Sequence, residues 1–357
     1  MEFLAGPEHF LRKGVDAFHT QLCPGRGEFF LGLFEVLIII PFRVRAMLFI
    51  IPQFTNGIHQ AADAILGQED GLGALPERAD EAIGLGGLRH GGVGVSIAGA
   101  LGQWWPDLTI TVRDLSFVGN HASGDALVVD HPNDTLVDAC FFIGHGGTAV
   151  RFVSKGTNAT VRDCWMRDCK RVLSAENLHH LTMHGNQTRR LNEGQMQDEH
   201  VYIDRNCREV RIVNNHFAYG DAEGIILDGT AQHVVANNTI EGFQRCIYAI
   251  SSRDLVINAN YLHGPHAVVL AGTCNGVTIT GNTMINNTEA AVRIEDASGS
   301  GGHVISGNII RKSVYADIVE DKRQGGIDLG AARDCAVTGN MLENVTADAA
   351  IVGLGGG

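Results

Sequence analysis

A chain of 357 residues, 45% of them hydrophobic and 45 of them glycine, can bury a large core and supply many tight turns. Its 27 basic and 40 acidic side chains leave a formal charge of −13, which opposes bulk binding of nucleic acid and leaves only a local basic patch for an acidic sugar. The eight cysteines are scattered singly, without CxxC pairs, and imply no disulfide framework.

Residues 1 to about 85 stand apart in composition, rich in Phe and Leu and poor in Asn turns, and form a cap or docking region separate from residues 86–357. Within it, Phe29 to Pro52 is the most apolar stretch. Glu35, Pro41, Arg43 and Arg45 divide it into runs of about a dozen residues, too short to cross a bilayer as a helix. Buried strands or a helical cap over the first coil is the expectation, with a membrane- or partner-binding segment as the alternative. The start lacks a basic n-region, so no ordinary signal peptide is expected. Trp104-Trp105-Pro106 reads as an edge-sealing aromatic pair, or else as a platform for sugar rings.

From Leu115 onward a short apolar strand, a tight turn and a second strand recur. The turn position falls at Leu115, Cys140, Cys164, Asn186, Asn215, Asn238, Asn260, Asn282, Asn308 and Asn340, at intervals of 25, 24, 22, 29, 23, 22, 22, 26 and 32 residues. Strand-like units with a period in the twenties make a solenoid, in which each coil buries its faces by stacking on its neighbours. Gly-Asn before the strand supplies the positive φ that a sharp bend needs. Seven Asn at one point of successive coils stack into a ladder, because a buried turn amide must be paired. Cys140 and Cys164 fill the same slot as small apolar groups.

This repeat resembles that of the right-handed parallel β-helix proteins of the pectate-lyase-like superfamily, over roughly Gly94 to Val352. The resemblance implies an all-β, single-stranded, right-handed parallel β-helix of about ten coils, a polysaccharide ligand and an extracellular or cell-surface setting. It also implies that the strands after each turn form a sheet facing the binding groove.

On those strands, alternation sends Val201, Ile203, Ile225, Leu227, Val292 and Ile294 inward. Asp130, Arg151, Tyr202, Asp204, Ile226, Asp228, Tyr248, Arg293, Glu295 and Asp328 then face outward. The densest polar cluster sets Glu199 beside Glu223 and Asp204 beside Asp228 on adjacent rungs, with His200 and Tyr202 next to them. Rungs lie about 4.8 Å apart, so paired carboxylates there repel, raising one pKa or recruiting a cation. Asp204, Asp228, Glu199, Glu223 and His200 are the catalytic candidates. Tyr202, Tyr248, Arg151, Lys155, Arg205 and Arg293 are the candidates for holding sugar.

Hydrolysis is the leading reaction because acids outnumber bases. A non-catalytic adhesin or tailspike-like rod, trimeric if tailspike-like, is the alternative. A polyuronate lyase or epimerase is the third reading, and a lyase would bring Ca²⁺ as its cation. No cofactor is otherwise expected. Gly144-His145-Gly146 and Arg293-Ile294-Glu295 are similar to polygalacturonase fragments, but Glu295 stands where that pattern has Lys. His179, His180 and His184 point different ways and suggest no metal set.

Overall fold

The computed structural model describes residues 37–40, 46–49, 95–98, 110–190, 198–295, 299–312, 325–345 and 350–353, and among them there is no helix. Three parallel sheets run the length of a solenoid. Sheet I has ten strands, from Ile110–Arg113 to Ala336–Thr338, and sheet II has ten, from Ser116–Val118 to Met341–Glu343. Sheet III has eleven, from Val95–Ala98 to Ile351–Val352. Each strand bonds the strand three places on in the chain, so one coil contributes one strand to each sheet, and the chain is a parallel β-helix protein of about the expected coil number.

The bend between sheets I and II explains the recurring turn. A residue in the left-handed region precedes each slot, such as Asn214 (φ 58°), Asn237 (φ 56°), Gly281 (φ 64°) and Gly307 (φ 63°). Asn and Gly tolerate that conformation with little strain. The next residue turns its side chain into the solenoid. Asn238 is 2% exposed, and its Nδ2 donates to Ile212 O (2.8 Å) and to Asn260 Oδ1 (3.0 Å). Its Oδ1 accepts from the backbone N–H and side-chain amide of Asn215, at 2.9 and 3.1 Å. The pattern repeats from Asn186 to Asn340. Cys164 donates its N–H to Asn186 Oδ1, and Cys140 donates its own to Cys164 Sγ, so the two buried thiols extend the column as well as filling it.

Inside, apolar side chains from all three sheets stack in columns. Leu173, Val201, Ile225, Ile247, Val268 and Val292 follow one another in register on sheet III, each fully buried. Phe117 and Phe142 stack with centroids 4.7 Å apart. Such like-on-like columns bury an apolar face that no single coil could bury alone.

Of the segment 29–52, strands Leu37–Ile40 and Ala46–Phe49 are described and pair antiparallel. No helix among the described residues is long and apolar enough to cross a membrane. Trp104 and Trp105 lie outside the described residues.

Candidate functional site

Sheet III turns three rows of side chains outward. The central row follows the strand register Arg151, Ser174, Tyr202, Ile226, Tyr248, Val269, Arg293 and Asp328, of which Ser174 and Val269 are buried. At the carboxyl ends of the strands stand Glu176, Asp204 and Asp228. At the entry ends stand Arg171, Glu199, Glu223, Arg245 and His266. The expected inward phase of Val201, Ile203, Ile225, Leu227, Val292 and Ile294 is what the strands show, all being buried.

The register Ile203↔Leu227 puts Asp204 and Asp228 on neighbouring rungs. Tyr202 donates its hydroxyl to Asp228 Oδ2 at 3.1 Å. Burial, and then the Asp228 carboxylate, push the Tyr202 phenol up to about 12, so it is a donor throughout the neutral range. Arg205 stands 3.9 Å from Asp204 and is largely exposed in the turn beyond the strand. Lys155 is exposed in the equivalent turn two coils earlier.

Glu199 and Glu223 are also on neighbouring rungs, but each has a guanidinium. Arg171 pairs with Glu199, and with Asp198 at 3.4 Å. Arg245 binds Glu223 through Nε at 2.8 Å and through Nη2. The row therefore reads Arg171, Glu199, Glu223, Arg245, a quartet in which two adjacent carboxylates are flanked by guanidinium groups. Burial pushes the Glu199 carboxyl above its usual range, against the pull of Arg171. The two arginines also lie over the tyrosines. Arg245 sits 3.9 Å from the Tyr248 ring centroid and Arg171 sits 5.5 Å from that of Tyr202.

The remaining predicted cations are similarly engaged. Arg151 binds Glu176 (3.0 Å) and Asp125 (3.3 Å). Partial burial works against its charge, yet those two bonds prevail and lift its pKa above the ordinary guanidinium value. Arg293 lies 3.5 Å from Glu295 and 4.0 Å from Glu289, which also meets His266 Nε2 at 2.9 Å.

One candidate must be corrected. His200 is 1% exposed, stands edge-on to Phe243 at 4.6 Å and shares a hydrogen bond with Thr188 Oγ1 at 3.0 Å. Burial depresses its pKa to about 3, so it is neither an outward acid nor an outward base. The cause is local. Where the chain enters sheet III two successive residues turn inward, His200 and Val201 here, then Gly224 with Ile225 and Cys246 with Ile247. Alternation extrapolated back from Tyr202 therefore fails by one residue. Arg171 and Arg245 were missed as partners, although the register that aligned the carboxylates would also have found them. Of the weaker motifs, His145 is buried and shares a bond with Ser123, and His180 pairs with Glu209. A separate depression of about 270 Å³ on sheet I is lined by Asn158, Thr160, His180, Thr182, Glu209 and Arg211, and contains none of the predicted site residues.

Comparison with known proteins adds the following. The sequence profile of the family described as "Periplasmic copper-binding protein (NosD)" matches residues 189–352, less than half of the chain. No curated protein matches. Among solved structures, DFA-IIIase from Arthrobacter chlorophenolicus A6 without its lid is 16% identical, with a TM-score of 0.53 and coverage of 68% of each chain. The enzymatically active domain of bacteriophage CBA120 tailspike protein 2 is 12% identical, with a TM-score of 0.51, covering 69% of this chain and 41% of that one. At these identities the likeness is one of fold.

Proposed function

We propose that this chain binds an extended polysaccharide along the outer face of sheet III and hydrolyses it at Asp204 and Asp228. The observation that carries the reading is the Tyr202 hydroxyl bound to Asp228, on a face where the tyrosine rings of two rungs flank a pair of adjacent carboxylates. Stacked parallel strands present side chains at a regular spacing from rung to rung, which suits a ligand that itself repeats. Tyrosine gives a sugar ring an apolar face and a polar tip. The rung spacing, about 4.8 Å, is near the ≈ 5–5.5 Å carboxyl separation of retaining glycosidases. In this reading Tyr202 orients Asp228, and Asp204 supplies the second carboxyl group.

Binding without cleavage is the second reading, favoured by the guanidinium pairing of Glu199 and Glu223, which ties both carboxylates to cations of this chain. Arg151, held more firmly charged than usual, offers a lyase no base. The matched family's description names copper, but the described residues gather no group of three or more His, Cys, Asp or Glu side chains that could hold a metal, so no step is routed through one. The test is incubation with a panel of plant, algal and bacterial polysaccharides, following reducing ends and the ultraviolet absorbance of unsaturated products. Hydrolysis abolished by Asp204→Ala with Asp228→Ala supports the site. Activity that survives the double substitution refutes it, and binding with no product establishes the second reading.

A further inference from the structure

We infer that the sheet III face is built for a neutral glycan and turns away polyuronates, an inference that rests on the sugar-binding reading above. Recognition of a uronate chain needs cations with donors to spare. Four arginines stand on the described sheet III strands between Thr148 and Ile294: Arg151, Arg171, Arg245 and Arg293. Each is already committed to carboxylates of this chain: Arg151 to Asp125 and Glu176, Arg171 to Asp198 and Glu199, Arg245 to Glu223, Arg293 to Glu295. The two less engaged cations, Lys155 and Arg205, lie in turns past the strand ends, and Arg205 already has Asp204 at 3.9 Å.

The acids show the opposite balance. Asp204 and Asp228 stand side by side where a ligand crossing Tyr202 and Tyr248 would pass, and Asp228 receives a tyrosine hydroxyl. An ionised carboxylate only accepts hydrogen bonds, so it calls for donors on the ligand. Sugar hydroxyls are donors as well as acceptors. A uronate carboxylate is an acceptor alone, and would lie against like charge on a protein of net charge −13. To bind, it would have to displace Glu199 or Glu223 from its guanidinium, exchanging an intramolecular partner for an intermolecular one with no net gain in ion pairs. A neutral chain leaves the quartet intact and uses the guanidinium edges, carboxylates and tyrosine rings as they stand.

Isothermal titration of the intact protein tests this with neutral gluco-, manno- and fructo-oligosaccharides against oligogalacturonate and oligomannuronate, at about 20 mM and about 300 mM salt. A neutral oligosaccharide is expected to bind with a Kd that salt leaves unchanged, and the uronates to bind at least 10-fold more weakly, about 1.4 kcal/mol. Replacing Glu199 and Glu223 together, Glu199→Gln with Glu223→Gln, frees Arg245, leaves Arg171 with Asp198 alone and is expected to raise uronate affinity about 10-fold in a salt-sensitive manner. Wild-type protein that binds a uronate as tightly as any neutral chain overturns the inference and leaves the sugar-binding reading standing. Binding of neither class overturns both.

Discussion

Replacing Asn238 with alanine in the middle of the amide ladder probes what holds the coils together. The side chain accepts from the Asn215 backbone N–H at 2.9 Å and from the Asn215 amide at 3.1 Å, and donates to Ile212 O and Asn260 Oδ1. The Asn215 amide keeps Met183 O and Val213 O, and Asn260 Oδ1 keeps the residue-238 backbone N–H, so those losses are small. The Asn215 N–H is left without its partner inside the protein, at about 1–3 kcal/mol. The lost bond to Ile212 O adds about 1 kcal/mol and the vacated volume about another 1. Asn238→Ala should therefore cost about 3–5 kcal/mol. Asn238→Cys should cost less, since Cys164 accepts a neighbouring N–H in this very slot. Exposed Gln187, on the outer side of the strand that follows Asn186, is the control, and Gln187→Ala should fall within about 0.5 kcal/mol of wild type. Urea unfolding measures the loss, and amide exchange at Asn215 localises it, which matters because a solenoid can open coil by coil. A loss under about 1 kcal/mol for Asn238→Ala, with Asn215 still protected, would refute the ladder as the source of stability.

Two further outcomes follow from burial. His200 and His233 have pKa values depressed by burial to about 3 and about 4, against an ordinary 6.5, so below pH 6.5 the unfolded chain takes up protons that the folded chain does not. Their stabilisation is complete above pH 6.5 and is lost as pH falls toward 4, at about 1.4 kcal/mol per pH unit for each histidine. Thermal melts from pH 7 to pH 4.5 should show that slope and a shallower one for His200→Gln, and an unchanged slope in the variant would place the proton uptake elsewhere. A Cβ on Gly224 would meet Cys246 O at 2.6 Å and Ile240 Cγ2 at 2.8 Å. Backbone cannot yield as a side-chain tip can, so Gly224→Ala should cost about 1–3 kcal/mol in urea unfolding, and a neutral result would mean that the coil spacing there adjusts freely.

How far the sequence reaches depends on whether a residue's role is set by its own coil. The ladder Asn residues were legible because each turn repeats one local rule: a residue that accepts positive φ, then a small amide that must be paired. The phase of Val201, Ile203, Ile225 and Leu227 followed from alternation within a strand. His200 was misread because the chain kinks on entering sheet III, and that kink has no signature in the alternating pattern. Arg171 and Arg245 went unnoticed as partners because their meaning lies between coils. The offset that sets Ile225 on Ile247 also sets Glu223 on Arg245, and a superposition carried only across the two acidic rungs leaves the acids looking uncompensated. The charge balance of the face, and with it the class of ligand it favours, becomes visible only once the superposition extends to the coils on either side of the acidic pair.

The amide ladder also has a direction. From Asn186 to Asn308 each side chain hands its Nδ2 hydrogen to the Oδ1 of the following coil, and Asn340 ends the series by donating back to Ile305 O. Seven amide dipoles consequently point the same way along the solenoid axis, their oxygen ends toward Cys164 and their hydrogen ends toward the last coil. Aligned hydrogen bonds polarise one another, so the column forms a side-chain counterpart of the helix macrodipole inside a protein whose described residues contain no helix. Flipping one amide would set oxygen against oxygen on one side and hydrogen against hydrogen on the other. The orientation of every amide is thus fixed by its neighbours, and the column has one polarity from end to end.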